Sequence, residues 1–348
     1  MRLVAQGLHP GDRAGNGASG EAAARTPAEV VRHMVAMQGQ DLAQVLRAIA
    51  IRSAAGTTLA EVRAAFDRGE LVRSWAMRGT RFVASPQDLA SLGAAVGPRM
   101  RRQEWRMCTD RGIDESTAQR SAAVLVEHLA HGARSRPSLL AAWEAAGVGT
   151  GGGRGYHLLA LHAYDGLVRF GPFDGEAQLL LGGPAPAVPE PEAALGDALG
   201  RCIAARGPMP ADDAAWWTGL PKLRVRALLA DRDDLEPVLV AGERMLRSVA
   251  AADGRRSGIV LVPGFDEWVL GYRYRSHTAS AAMLQAMVPG SNGVFRAVVL
   301  VDGRAVGTWR WPPQRGARPA RPVLDIVEPV TRATLARIER ALEAWPHR

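Results

Sequence analysis

The feature that most constrains the fold is a pattern that recurs three times in the first 240 residues. Each copy contains a helix, a short turn, two further helices and then a segment with the residues typical of β strands. A helix-turn-helix with a β-hairpin appended is a winged helix. The repetition therefore predicts three tandem winged-helix units.

The residues specify the first copy most fully. Thr26-Pro27 is a typical helix start, and apolar residues at helical spacing extend this helix to Met37. A second helix is predicted over 42–49, and the 57–61 segment predicts the capping box of a third. Residues 74–83 then predict two strands that meet around a glycine, which would form the wing.

The later copies and the C-terminal part follow the same order of elements. The second copy lies within residues 121–173 and the third within 192–240, and a Gly/Pro-rich linker over 182–189 separates them. From about residue 242 the apolar period changes from 3.6 to 2, which indicates short strands. An amphipathic helix over 328–345 ends the chain.

Strands in this last region are predicted at 259–262, 268–270, 298–301 and 305–309, and such spacing is typical of a small barrel or sandwich. The fold class predicted is therefore α+β, with three tandem winged-helix units followed by a C-terminal β-barrel-like domain. The predicted boundaries are 1–110, 111–181, 190–240 and 241–348.

The charge of the chain favours a nucleic-acid partner. The formal net charge is +8, and Lys222 is the only lysine among 43 basic residues. A basic surface attracts phosphate, and arginine binds phosphate through two N–H groups and stacks on bases. An arginine bias together with abundant alanine and glycine also fits a GC-rich genome, so charge alone leaves both readings open.

Several classes of protein and site are not supported by the sequence. No apolar stretch reaches the length of a membrane helix, and no signal peptide is visible, so we expect a cytoplasmic, nucleoid-associated protein. Cys108 and Cys202 lie far apart and near no Cys/His cluster, so no metal is expected. The glycine run at 149–155 lacks the Gly-Lys-Ser/Thr ending of a phosphate loop, so no nucleotide cofactor is expected.

Six segments match a known family in the family's own order. The sequence resembles the winged-helix DNA glycosylases of the AlkZ and YcaQ type. The matching segments are 6–8, 37–41, 75–80, 263–273, 292–296 and 301–310.

This resemblance implies an enzyme without cofactors that excises alkylated purines from double-stranded DNA. The expected lesions are bulky N7-alkylguanine adducts and also N3-alkyladenine, and some members of the family unhook interstrand crosslinks. The AlkZ-like branch carries Gln-x-Gln, which here is Gln38-Gly39-Gln40. This branch is often tied to self-resistance against DNA-alkylating antibiotics. Glycine replaces the usual small apolar residue in the middle and would loosen the backbone.

Two glutamines can suffice because an N7-alkylated guanine is already cationic and leaves as a neutral base. The enzyme then has to hold a water near the anomeric carbon and tolerate positive charge on the deoxyribose. We expect Gln40 to position the water and Gln38 to support it, as the catalytic pair. Taken without the family match, two such glutamines between helices would more often face solvent or cap a turn.

Three carboxylates are possible supporting residues. Asp41 could act as a general base, although its place before Leu42 is that of a helix N-cap. Asp266 and Glu267 could stabilise positive charge on the sugar, with hydrogen bonding at a strand end as the default reading.

Candidate DNA contacts lie in and near the same motifs. The 272–277 segment alternates aromatic and basic residues, and on a strand it would present one type on each face. An ordinary barrel strand with an exposed polar face is the competing reading. Aromatic residues make up only 5% of the chain, so an open cleft is expected rather than a closed base pocket. The predicted DNA-binding residues are Arg78, Tyr272, Arg273, Arg275, His277, Arg296 and Arg310.

Two other classes of function remain open at the level of sequence. A winged-helix transcription regulator would bind DNA without chemistry, although no heptad segment offers the dimer interface that such regulators use. A helper protein could instead sequester a DNA-reactive natural product. The glycosylase reading predicts a monomer that acts on double-stranded DNA with alkyl adducts.

Overall fold

A computed structural model of the chain describes residues 1–8, 25–251, 257–291, 293–312 and 321–347. Residue 292, which belongs to one of the matching segments, lies outside the described residues. Across these ranges the fold is a mixed α+β arrangement whose sheets are all antiparallel. None of the helices in the described ranges has the length and apolar character needed to span a membrane.

The first region places a strand between its helices. Side chains cap the helix starts as the sequence predicts, because Thr26 and Thr58 each form a capping box with a glutamate three residues later. Its elements are α1 (Arg2–Ala5), α2 (Pro27–Met34), β1 (Ala36–Gln38), α3 (Leu42–Ala50), α4 (Leu59–Asp67), β2 (Val72–Trp75), β3 (Arg81–Ala84) and the long α5 (Pro86–Thr109).

Two further regions repeat three helices followed by a strand pair. The strands of the first and second regions join in one sheet of order β1-β3-β2-β4-β5, while β6 and β7 form a separate hairpin. The elements are α6 (Glu115–Leu129), α7 (Arg136–Ala145), α8 (Arg154–Tyr164), β4 (Arg169–Asp174), β5 (Ala177–Leu181), α9 (Pro191–Arg206), α10 (Ala211–Thr218), α11 (Lys222–Ala230), β6 (Leu235–Val240) and β7 (Glu243–Ser248).

The C-terminal region is a four-stranded sheet of order β11-β10-β9-β8, with helices on both sides. The strands predicted at 259–262, 298–301 and 305–309 are confirmed. The elements are β8 (Ile259–Val262), α12 (Glu267–Leu270), α13 (Ala281–Met287), β9 (Ala297–Val301), β10 (Arg304–Arg310), β11 (Val323–Ile326) and α14 (Arg332–Glu343).

The predicted β-barrel is wrong for the part of the chain that the structure describes, because β8 and β11 lie at opposite edges and do not pair. Helices cover both faces of the sheet. One face packs on Trp268 and Met283, and the other packs on Ile338 and Leu342. Where helices cover both faces of a strand, side chains on either side are buried, which explains the uninterrupted apolar run of β8.

Two predicted elements have a different secondary structure. Residues 268–270 were expected as a strand but form α12, because Asp266 accepts a hydrogen bond from the backbone N–H of Trp268 and caps a helix there. The first helix ends at Met34 instead of continuing to Met37. Val35 takes a φ of 64°, and the chain then runs as β1 antiparallel to β3. Met37 is buried in either case, so its apolar spacing misled the helix prediction.

A buried histidine couples the second region to pH. Burial lowers the pKa of His162 to about 4, whereas an unfolded histidine titrates near 6.5. Between these pH values the unfolded state binds more protons, so stability falls as the pH drops from about 6.5 to about 4. We expect His162 to account for up to about 3 kcal/mol of this loss in free energy of unfolding.

Urea unfolding at pH 7.5 and pH 4.5 measures this effect. His162→Gln should reduce the difference between the two pH values, while His131→Gln at an exposed position should leave it unchanged. An equal pH dependence in the wild type and His162→Gln would contradict the assignment.

Candidate functional site

The Gln38-Gly39-Gln40 triplet lies at the end of β1, against strand β3. Gln38 pairs with Phe82 in the sheet, and the Gly39 N–H continues the ladder by donating to the Arg81 carbonyl at 2.8 Å. In an extended segment, residues two apart point to the same side. The Gln38 side chain is only 5% exposed, whereas Gln40 is exposed. The triplet therefore presents one sheltered and one open amide.

Charged side chains hold the backbone that leads into the triplet. Arg206, at the end of α9, donates to the carbonyl oxygens of Met34 at 2.9 Å and Ala36 at 2.8 Å. The Glu267 carboxylate accepts the backbone N–H of Gln38 at 2.6 Å. These bonds hold the edge of β1 that does not pair with β3.

Two further arginines hold the other end of the triplet. Arg73 Nε donates to the Gly39 carbonyl at 2.6 Å, and Arg81 Nη2 donates to the Gln40 carbonyl at 3.1 Å. Burial lowers the pKa of Arg73 to about 9, so its guanidinium is still charged near neutral pH. Backbone groups from Met34 to Gln40 are thus bound by four charged side chains, which hold in place the backbone that carries the two amides.

Arg206 and Glu267 form a fully buried ion pair beneath β1. Arg206 Nη2 lies 2.8 Å from Glu267 Oε2, and the two side chains are 0% and 1% exposed. The Arg206 guanidinium also lies 4.7 Å from the centre of the Trp217 ring. A buried charge that loses its partner is costly, so each member of this pair needs the other.

A second buried ion pair lies beside the first. Arg52 donates to both oxygens of Asp266 at 2.8 Å and to Gln6 at 2.8 Å. Gln6 in turn donates to the Tyr272 hydroxyl, which donates to the Arg206 carbonyl at 2.6 Å. The two ion pairs are therefore joined in one hydrogen-bonded network.

This network corrects three predicted roles. Tyr272 is 0% exposed, so it does not lie on a DNA-binding surface, and the prediction for this residue is wrong. Asp266 and Glu267 are both buried and paired with arginines, so their carboxylates are not open to a sugar. Glu267 supports the triplet through the Gln38 backbone, and Asp266 binds Arg52 and caps α12. Asp41 caps α3, because its carboxylate accepts the backbone N–H of Gln44 at 3.0 Å.

Gly39 lies close to strand β3. A Cβ at this position would lie 3.2 Å from Val83 Cγ2 and from backbone atoms of Phe82 and Val83. Such contacts are tighter than most real Cβ contacts, so β3 would have to shift by a few tenths of an ångström, and two of the three neighbouring atoms belong to its backbone. The glycine therefore reflects packing against the sheet, with a backbone held on both sides.

We expect Gly39→Ala to lower the free energy of unfolding by about 1–3 kcal/mol, because it overpacks the site. Gly93→Ala is the matched control, since nothing lies within 4 Å of its added Cβ within α5. That change should stabilise the helix by about 0.5–1 kcal/mol. Chemical denaturation of both variants checks the two signs, and a neutral Gly39→Ala would contradict the packing account.

Arg78 lies between the triplet and Trp216. Its Nη2 lies 3.5 Å from Gln38 Oε1, and its guanidinium lies 4.2 Å from the centre of the Trp216 ring. Burial lowers the pKa of Arg78 to about 10, which leaves it protonated near neutral pH. Its φ of 54° precedes Gly79 at 72° in the turn between β2 and β3. Arg78 is the one predicted DNA-binding residue in contact with a predicted catalytic glutamine in the described structure.

A basic groove lies on the outer side of Trp216. It has a volume of about 610 Å³. Arg99, Lys222 and Arg273 are exposed, and with Arg78 they outnumber Asp212, the carboxylate in the groove that pairs with Lys222. We call it the basic groove and define it by Arg78, Arg99, Trp216, Lys222 and Arg273.

An aromatic cleft lies between the start of α3 and the C-terminal sheet. Its volume is about 650 Å³, and Asp41, the neighbour of Gln40, lies on its wall. The rings of Phe265 and Phe295 lie 5.9 Å apart in an edge-to-face arrangement. We define the aromatic cleft by Asp41, Phe265, Val294, Phe295, Arg296, Arg310 and Trp311.

The remaining predicted DNA contacts do not share one surface, because Arg275 and His277 line neither the basic groove nor the aromatic cleft. Residues 272–278 form an irregular loop, so the predicted strand is wrong. Arg275 is partly buried and lies between Trp216 and Phe295, at 5.8 Å and 5.6 Å from their ring centres. His277 lies 2.8 Å from Glu243. Arg296 and Arg310 are exposed at the aromatic cleft.

Sequence reasoning missed several residues that hold the site. Arg206 lies on the apolar face of α9, and a charged residue on such a face is a visible sign of a buried partner. Arg73 and Arg81 carried no comparable sign, because their targets are backbone carbonyls 34 and 41 residues away. No cluster of potential metal ligands occurs within the described ranges.

Comparisons with known proteins agree with this architecture. Residues 31–347 match the family described as DNA glycosylase AlkZ-like. The interstrand DNA cross-link repair glycosylase of Streptomyces sahachiroi is 25% identical over 315 residues, which cover 81% of this chain and 81% of the relative. The solved structure of Streptomyces sahachiroi DNA glycosylase AlkZ has the same fold, with a TM-score of 0.74 and 20% identity over 97% of this chain and 92% of that chain. Because the family match extends over most of its length, the chain belongs to the AlkZ-like DNA glycosylase family.

Proposed function

We propose that this DNA glycosylase hydrolyses the N-glycosidic bond of bulky N7-alkylguanine adducts, and of N3-alkyladenine, with Gln38 and Gln40 as its catalytic residues. The observation that carries the proposal is the set of charged side chains bound to the backbone from Met34 to Gln40. Such rigid support is typical of a site whose geometry must be kept within a fraction of an ångström.

The reaction follows from the charge of the substrate. Water adds to the anomeric carbon while the bond from that carbon to the base nitrogen breaks. The bonding electrons neutralise the cationic base, and the proton of the water passes to solvent. Little acid catalysis is needed, so the amides have to orient the water and favour positive charge on the sugar.

The surroundings of the two amides support different roles for them. Gln38 is sheltered, and its carbonyl oxygen faces Arg78. The Gln40 side chain is exposed, and the backbone carbonyl of Gln40 accepts a hydrogen bond from Arg81. We assign the water to the open Gln40 amide, with Gln38 and Arg78 supporting it from the protein side.

DNA would cross the triplet between the basic groove and the exposed arginines of the aromatic cleft. Arg78, Arg273, Arg296 and Arg310 would contact phosphates, because arginine suits that role. The three repeats of helices and strand pairs would act as tandem winged helices. We further propose a monomer that is associated with the nucleoid and serves DNA repair or antibiotic self-resistance, including crosslink unhooking.

Incubation with a duplex that carries a single N7-methylguanine tests the proposal. We expect release of the free base and an abasic site that alkali cleaves. Sequence-specific binding to undamaged DNA without base release would instead identify a regulator, and binding of a free alkylating compound without base release would identify a sequestering protein.

A further inference from the structure

The aromatic cleft has features that hydrolysis at the triplet does not require. The triplet already contains the groups that orient water, yet a cavity of about 650 Å³ lies beside it. Pockets of this size bury most of a drug-sized molecule. This volume is much larger than a methyl group on a purine needs.

The walls of the cleft are suited to a flat apolar group. Phe265 and Phe295 are partly exposed, and Val294 is 52% exposed. Aromatic side chains stack on flat rings, and this stacking depends little on the substituents that the ring carries. Polar side chains line the cleft as well, among them Asp41, Gln44, Arg47 and Asp325, and Arg296 and Arg310 are its exposed cations.

The backbone holds Phe265 in the cleft at an energetic cost. Its φ of 57° lies in the left-handed region, which bulky residues rarely adopt. The flanking residues are fixed, since the Gly264 N–H donates to the Gln44 side chain at 3.0 Å and Asp266 is paired with Arg52. Strained residues of this kind occur preferentially at active sites and ligand clamps.

Contacts connect the cleft to the catalytic triplet. Phe295 lies against Arg275, and Arg275 lies against Trp216. Trp216 lies against Arg78, which reaches Gln38. On the other wall, Asp41 follows Gln40 directly. The cleft therefore begins at the residue that follows Gln40.

We propose that the aromatic cleft binds the non-nucleobase part of the lesion, and that this part is a planar aromatic group joined through the alkylated purine nitrogen. Phe265 and Phe295 are the residues that determine this specificity. The inference rests on the proposed function, because it takes the triplet as the place where the base is released.

Three matched duplexes test this specificity with the full chain. They carry N7-methylguanine, N7-(cyclohexylmethyl)guanine or N7-(2-naphthylmethyl)guanine at the same position, and the rate of base release gives kcat/KM for each. The wild type should prefer the naphthyl lesion about 10-fold or more over the methyl lesion, as expected for stacking on protein aromatics. The cyclohexyl lesion should fall well below the naphthyl lesion.

Substitution of Phe295 tests whether the preference for the naphthyl lesion arises in the aromatic cleft. Phe295→Ala should lower the naphthyl-to-methyl ratio about 10-fold, and Phe295→Leu, which keeps an apolar side chain for folding, should lower it in the same direction. Phe173→Ala is the matched control, because Phe173 is a partly exposed aromatic residue on strand β4 that lies outside the cleft. It should keep the wild-type ratio.

Several outcomes would overturn the inference. One is a naphthyl-to-methyl ratio near one for the wild type, and another is equal rates of base release from the naphthyl and cyclohexyl lesions. An unchanged naphthyl-to-methyl ratio in both Phe295 variants would also overturn the inference. This includes the case in which base release from both lesions slows equally, since Phe295 would then contact DNA or the base itself. Release of N7-methylguanine in any of these cases leaves the proposed function intact. Failure to release any of the three bases overturns the proposed function together with the inference.

Discussion

Arg206→Ala is expected to lower the free energy of unfolding by about 3–5 kcal/mol, which is the range for a buried ion pair that loses one member. The substitution leaves the Glu267 carboxylate without its cation at a position only 1% exposed. It also removes the donors that the Met34 and Ala36 carbonyls now use. Denaturation with urea, followed by far-UV circular dichroism, measures the loss.

Arg224→Ala is the matched control for this prediction. Arg224 also pairs with a glutamate, Glu192, but both side chains are substantially exposed to solvent. Exposed ion pairs contribute about 0–1 kcal/mol, so this variant should unfold close to the wild type. Equal losses in the two arginine variants would show that the buried pair has no special role beneath β1.

The double substitution Gln38→Ala with Gln40→Ala is expected to slow release of N7-methylguanine by about 10²–10³-fold, the range for removing pre-organised polar groups that face developing charge. Binding to DNA should change far less, because phosphate contacts dominate affinity. Single-turnover rates with excess enzyme separate the chemical step from binding.

Gln119→Ala provides the control for the double variant. Gln119 is an exposed glutamine on α6 whose side chain bonds only to Glu115 among the described contacts. This variant should release the base at the wild-type rate. A double Gln38/Gln40 variant that folds normally and also retains the wild-type rate would move the catalytic assignment away from the triplet.

Local signals in the sequence predicted much of the architecture. The N-cap at Thr26, the capping box at Thr58 and the strands around Gly79 depend on residues within a few positions of one another, and the structure confirms them. The resemblance to AlkZ-like glycosylases is also confirmed. It rested on six short segments, and the structure brings two of them together where Glu267 binds the Gln38 backbone.

The parts that failed depend on distant partners. Met37 has the spacing of a helix, but a strand forms because β3 and Arg206 both bind that backbone. The apolar 268–270 segment has the composition of a strand, but it forms a helix because Asp266 caps its start. Tyr272 lies in an alternating aromatic and basic run, yet it is buried against Gln6, 266 residues away. No local pattern encodes such contacts.

A paired assay of wild-type enzyme on two duplexes of one sequence tests the central claim most directly. One duplex carries N7-methylguanine, and the other carries uracil at the same position. If the cationic base supplies its own activation, free N7-methylguanine should be released while uracil stays in place under the same conditions. Release of both bases at similar rates, or of uracil alone, would contradict the account that two glutamine amides suffice because the substrate is charged.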